Sequence, residues 1–167
     1  PTRKNFEYKN VDFGPIFPPE NIGKYSGKIK NIVDNIYNSD GIVLIYSQFI
    51  DGGVIPMALA LESIGFTRFG NKASNLFKTS QHPVIDSKTY LPKDKMDNPG
   101  EFRPATYTLL TGEKALSPDK VYDLKNLTDE DNKNGEKIKV IIISMTGSEG
   151  LDFKNLRQVH IMEQWYN

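Results

Sequence analysis

The sequence predicts an α/β fold, a parallel sheet with helices on both faces and one long surface insertion. Three observations lead there. Residues 42–46 and 138–143 are continuous apolar, β-branched runs of strand length without polar alternation, the mark of strands buried on both faces. Between such runs lie stretches with helical periodicity, of which Ile29, Ile32, Val33 and Ile36 form the clearest stripe. The alternation of the two along a chain of 167 residues, the size of one ordinary domain, calls for crossover connections and therefore parallel strands.

Taken in order, residues 1–25 mix aromatics, prolines and charges without a period, as in FGPIFPPE, and read as an arm laid over a core. From Ser26 the apolar stripe, ending at Tyr37, predicts a docking helix, closed by the turn Asn38-Ser39-Asp40-Gly41 and followed by the strand 42–46. After Ser47-Gln48-Phe49 and an Asp51-Gly52-Gly53 turn, residues 54–64 predict a second helix with Pro56 near its start and Gly65 as its stop. Residues 71–104, with four prolines and few apolar positions in register, are too long for a simple connection and read as a surface insertion. A strand over 105–110 and a Thr111-Gly112 turn come next. Ser117-Pro118-Asp119 then predicts a helix start with Ser as cap and Pro in the first turn, the helix carrying Val121, Leu124 and Leu127. A polar loop, DEDNKNGEK, leads to the strand 138–143, and residues 158–162 form a further short strand.

Composition removes several function classes. The 21 basic and 21 acidic residues cancel, so no global field draws the chain to nucleic acid or membrane, and any such contact is local. The absence of cysteine excludes disulfides, thiol catalysis and zinc-thiolate sites, and two histidines are too few for a histidine-based metal cluster. No apolar run approaches the roughly 20 residues of a spanning helix, and PTRKNFEYKN lacks a signal-peptide core. A soluble, cytoplasmic protein is expected.

In open parallel sheets ligands sit at the carboxyl ends of the strands. Three strands here end in small or polar residues: Ser47-Gln48-Phe49, Thr111-Gly112, and Ser144-Met145-Thr146-Gly147-Ser148-Glu149-Gly150-Leu151-Asp152. Hydroxyls and glycines after a buried strand let backbone N–H groups approach phosphate oxygens, and Asp152 could accept from a ribose hydroxyl. Ordinary strand-to-helix loops have the same composition.

The order and spacing of these segments over residues 26–167 resemble the second, C-terminal RecA-like lobe of superfamily 2 helicases. GIVLIYSQF resembles motif IV, LLTG the Thr-Gly element after the next strand, ISMTGSEGLDF motif V, and VHIMEQWYN the strand and turn before motif VI in Swi2/Snf2-type ATPases. With YSGK leading into the first helix, the wording is most similar to helicase-like NTPases of large cytoplasmic DNA viruses, the poxvirus nucleoside triphosphatase and early transcription factor group. The resemblance implies that Ser47, Gln48, Thr111, Gly112, Ser144 and Gly147 face the backbone of one DNA or RNA strand. It places Glu149, Gly150 and Asp152 near nucleotide. It further implies ATP with Mg held mainly by a first RecA-like lobe of the same protein, and transcription machinery as a possible partner.

The signatures of a complete motor are not in these residues. Gly23-Lys24 lacks the earlier glycine of a P-loop, and Asp129-Glu130-Asp131-Asn132 follows no buried strand, so neither carries nucleotide chemistry. Motif VI, whose arginine fingers are worth on the order of 10³ to 10⁵ in rate, is expected shortly after Asn167. No catalytic or metal-binding residue is therefore expected in this lobe, which alone should be inactive. His160 reads as a half-buried strand residue, Trp165 and Tyr166 as sheet-edge packing, and the lysines of 71–104 as a solvated face. The rival expectation is a non-catalytic α/β module that holds a protein partner in a transcription complex.

Overall fold

The computed structural model of the chain describes residues 5–9, 12–147 and 151–164. Its centre is a five-stranded sheet in the order β2-β3-β4-β1-β5, with every neighbouring pair parallel. The strands are β1 (Ile42–Tyr46), β2 (Thr67–Arg68), β3 (Thr106–Leu110), β4 (Val140–Ile143) and β5 (Leu156–Ile161). The helices are α1 (Pro19–Tyr25), α2 (Gly27–Ile36), α3 (Ile55–Ser63) and α4 (Lys120–Leu127).

The stripe read from the sequence is the buried face of α2: Ile29, Ile32, Val33 and Ile36 enter the core, and the Ser26 hydroxyl caps the helix by accepting from the Ile29 N–H. Together with α1 and α3 it covers one face of the sheet, where Val43, Ile45, Tyr107, Leu109, Val140 and Ile142 point. The alternate residues Ile42, Leu110, Ile141 and Ile143 point to the other face, against Leu127 of α4 and the segment carrying Leu151 and Phe153. Both faces are thus apolar, which is why the central strands show no alternation.

The turn before α3 is a π-type turn, Ile50–Val54. Gly65 stops α3 as expected, with φ +103°, and a Cβ there would lie 2.5 Å from the Pro83 carbonyl oxygen. Two elements have no counterpart in the sequence reading. The last seven residues of the arm form α1, whose buried Ile22 joins the core, and Thr67–Arg68 make a short edge strand. Both are too short for a periodic pattern to show.

Residues 71–104 contain only short turns and isolated bridges, yet Leu76, Phe77 and Ile85 are buried in the main core. Glu62 of α3 holds the first two, accepting from the Leu76 and Phe77 N–H groups at 2.6 and 2.8 Å and from the Tyr107 hydroxyl. Asp86 organises the rest by accepting from the N–H groups of Lys88, Thr89 and Arg103.

The start of α4 corrects the sequence expectation. Asp119 is the cap, accepting from the Tyr122 N–H, and the helix begins at Lys120. Ser117 is buried instead, accepting from the Thr111 N–H and donating to the Leu109 carbonyl. Nor does Val121 face the core: it is 80% exposed, while Asp123 turns inward to the Thr108 hydroxyl at 2.6 Å. The helix starts two residues later than expected, and its inward face carries Asp123 and Leu127, four positions apart, which leaves Val121 outward.

Candidate nucleic-acid interface

Because every strand is parallel, the carboxyl ends of β3, β4 and β1 lie side by side on one edge. The ladder continues past the strands. Ser144 N–H donates to the Leu110 carbonyl, Ser47 N–H to the Ile143 carbonyl and Met162 N–H to the Tyr46 carbonyl, at 2.9 to 3.1 Å.

Two glycines allow the tips to touch. A Cβ on Gly147 would lie 1.8 Å from the Leu110 carbonyl oxygen, and one on Gly112 would lie 2.8 Å from the Thr146 hydroxyl oxygen. The Gly147 contact is with backbone, so any side chain there would push β3 and β4 tips apart. The short turn Met145–Gly147 is therefore wedged against the end of β3. Gln48, Thr111 and Gly147 consequently belong to one continuous edge.

The hydroxyls of Ser47, Thr111 and Ser144, expected to face a phosphodiester backbone, point inward in this structure. They are 0%, 4% and 2% exposed. Ser47 Oγ donates to Glu163 Oε1 at 2.8 Å and accepts from the Phe49 N–H. Thr111 Oγ1 accepts from the Glu113 N–H and lies 3.1 Å from Ser117 Oγ, while Ser144 Oγ lies 3.3 Å from Thr146 Oγ1. A strand ending beneath tightly packed loops leaves main-chain groups to be paired, and short hydroxyl side chains pair them. The groups that reach solvent are Gly112, Phe49, Met145 and Thr146, with Gln48 half-buried among them.

Glu163, which lies in the VHIMEQWYN segment but is not among the expected site residues, proves central. Its Oε1 accepts from Ser47 and its Oε2 from the Gln48 N–H at 3.1 Å, tying the β1 tip to the segment after β5. A Cβ on Gly53 would lie 2.9 Å from Oε1, so the end of the π-type turn is closed over the same carboxylate. Two lysines reinforce the edge: Lys28 donates to the Met162 carbonyl and Lys120 to the Gly147 carbonyl at 3.0 Å. Each places an ammonium beside a strand tip. Lys28, Tyr46, Gln48, Ile161 and Glu163 line an open groove at the β1 and β5 tips.

Of the residues assigned to nucleotide by resemblance, Asp152 is exposed on an irregular segment, and Glu149 and Gly150 lie outside the described residues, as do Trp165 and Tyr166. Among the described residues no group of His, Cys, Asp or Glu could hold a metal ion. His160 is half-buried with Nε2 3.0 Å from Gln158 Oε1, and burial lowers its pKa. No described helix is long and apolar enough to cross a membrane.

No protein-family model matches the chain. It is similar to proteins of African swine fever virus named termination factor NPH-I homolog: 35% identical over 151 residues in a pig isolate from Kenya and 33% over 151 in a tick isolate from Malawi. Each match covers 85% of this chain and 21% of the relative. A protein of Acanthamoeba polyphaga mimivirus that carries the name of an ATP-dependent RNA helicase is 30% identical over 150 residues, covering 87% of this chain and 21% of its own length. The chain thus spans about a fifth of the length of the relatives it matches.

Proposed function

We infer that this chain, a relative of helicase-like proteins of large DNA viruses, is the second RecA-like lobe of an ATP-driven superfamily 2 helicase or translocase. In this reading it grips one nucleic-acid strand along its strand tips. It closes an ATP cleft against a first lobe, and closure over nucleotide moves the grip along the strand.

The observation that carries the reading is the shared edge of β3, β4 and β1, where three motif-bearing tips touch. A motor must hold phosphates without reading bases, so backbone N–H groups and neutral polar side chains suit the task. The inward hydroxyls of Ser47, Thr111 and Ser144 then set the shape of the grip, while Gln48, Gly112 and Thr146 offer its contacting surface. Adjacent strands lie about 4.8 Å apart, so the three tips span about 10 Å, the axial rise of about three stacked nucleotides.

ATP would supply the conformational drive, with Mg bound mainly through the first lobe. In this chain, Glu149, Gly150 and Asp152 are the residues proposed beside nucleotide, and the exposed carboxylate of Asp152 suits a ribose hydroxyl. They follow the Gly147 turn directly, so a shift of that turn on closure would reach the strand-gripping tips.

The test uses the complete protein that contains this segment. Gln48→Ala and Thr146→Ala should each weaken single-strand binding by about 1 kcal/mol, roughly fivefold, if each loses one hydrogen bond. Both should lower nucleic-acid-stimulated ATP hydrolysis at subsaturating strand, with melting temperature unchanged. Wild-type affinity in both variants overturns the assignment.

A further inference from the structure

We propose that the cleft between the end of β2 and the loop from β3 to α4 is a phosphate-binding subsite that extends the grip by one nucleotide. The proposal rests on the strand-tip reading above and adds residues that no motif of the sequence contains.

The cleft is lined by Arg68, Lys72, Ser74 and Lys114, with Leu76 and Pro118 at its apolar wall, and encloses about 200 Å³. Among the described residues three cations and no carboxylate line it, in a chain whose 21 basic and 21 acidic residues balance as a whole. Such a cluster concentrates positive potential against a low-dielectric wall.

Arg68 is fixed in place. One guanidinium nitrogen donates to the Leu116 carbonyl, the group lies 5.7 Å from the centre of the Tyr107 ring, and its buried Nε has no hydrogen-bond partner among the described residues. Its charge is thus held in the wall, and its bond to Leu116 anchors the loop that presents Lys114. Lys72 pairs with Asp119 at 2.7 Å, but both are partly solvated, and such an exposed pair is worth at most about 1 kcal/mol. A phosphate can share or replace that partner.

Position argues for nucleic acid as the source of the phosphate. β2 is the next strand after β3 in the sheet and ends level with Tyr107, three residues short of the β3 tip, so the cleft between it and the loop after β3 flanks the row of tips. It is joined to that row through α4, whose first residues pair with Lys72 through Asp119 and reach the Gly147 carbonyl through Lys120. The cleft lies about one strand spacing, roughly 5 Å, to the side of the β3 tip, where a strand leaving the three tips brings its next phosphate. Size argues the same way, because small-molecule sites occupy roughly 300 to 1,000 Å³. A cleft of about 200 Å³ accepts a phosphate and not a whole nucleotide.

The experiment measures affinity of the complete protein for single-stranded oligothymidylates and oligouridylates of two to eight residues across a salt series. It compares Lys72→Gln/Lys114→Gln, Lys72→Arg/Lys114→Arg and Gln48→Ala. The glutamine pair should bind the longer strands several-fold more weakly, lose the gain in affinity on going from three to four nucleotides, and show a salt slope smaller by about 1. The arginine pair should restore all three. Both lysines are at the surface, so the folded state should tolerate the changes, and a thermal melt checks this.

Unchanged affinity and slope in the glutamine pair, with Gln48→Ala weakened, overturns the subsite and leaves the strand-tip reading intact. If Gln48→Ala is unchanged as well, both fail. Inorganic phosphate or ATP that shifts the Lys114 amide without being displaced by oligonucleotide identifies a free-anion site and also overturns the proposal.

Discussion

Glu62 is nearly as buried as the isoleucines around it, and its carboxylate is met by two N–H groups and the Tyr107 hydroxyl. Burial raises its pKa, and those hydrogen bonds and the charge of Arg68 only partly oppose the rise. The folded protein therefore keeps a proton that the unfolded chain gives up. The stability it contributes is present below the ordinary carboxylate value and is lost as pH rises through the folded value. Unfolding by denaturant from pH 4 upward should show this loss, and Glu62→Gln should remove that part of the pH dependence. Glu163 is a residue of the opposite kind, half-exposed but indispensable to one contact. Glu163→Ala strands the Gln48 N–H and should cost about 1 to 3 kcal/mol by chemical denaturation while loosening the β1 tip. Neither role can be read from the residue alone, because both depend on partners between 14 and 116 positions away.

At the scale of elements, α4 separates local from non-local control. Its entry contains three residues that could begin a helix, Ser117, Pro118 and Asp119, and a local reading favours the first. The β3 tip decides otherwise by drawing Ser117 into two hydrogen bonds, leaving Asp119 to cap. Ser117→Ala should therefore cost more than Asp119→Ala: about 1 to 3 kcal/mol for leaving buried groups unpaired, against about 1 kcal/mol for a lost cap. Equal losses in thermal or denaturant unfolding would contradict the assignment. Val121→Lys should change stability by no more than about 0.5 kcal/mol, as befits a solvated position. By contrast β1 and α2 occupy nearly the positions that their patterns predict, because an apolar run buried on both faces and a stripe at 3.6 spacing each have one satisfactory environment.

Across the whole molecule the two faces of the sheet are unequally covered. The face under α1, α2 and α3 is closed by the arm, where Phe6, Tyr8 and Phe17 pack on the core. On the other, Val159 and Ile161 of β5 are 56% and 62% exposed. Substituting both by Thr should leave the stability of this segment within about 0.5 kcal/mol per site, whereas Ile142→Ala in β4 should cost about 2 to 5 kcal/mol by denaturant titration.

What the sequence by itself determined is the kind of fold and the edge on which to look. Residues 42–46 and 138–143 are too apolar to lie anywhere but inside a covered parallel sheet, and parallel strands align their carboxyl ends. The tertiary structure alone decided which atoms on that edge face outward. Hydroxyls at 47, 111 and 144 look like ligands for phosphate until neighbouring strand tips, Glu163 and Ser117 are placed beside them, and then they become the internal ties of the loops. Hydrogen-bond demand is a property of packed neighbours, and strand order, which brings β2 with Arg68 beside β3, is fixed by pairing between residues far apart in the chain.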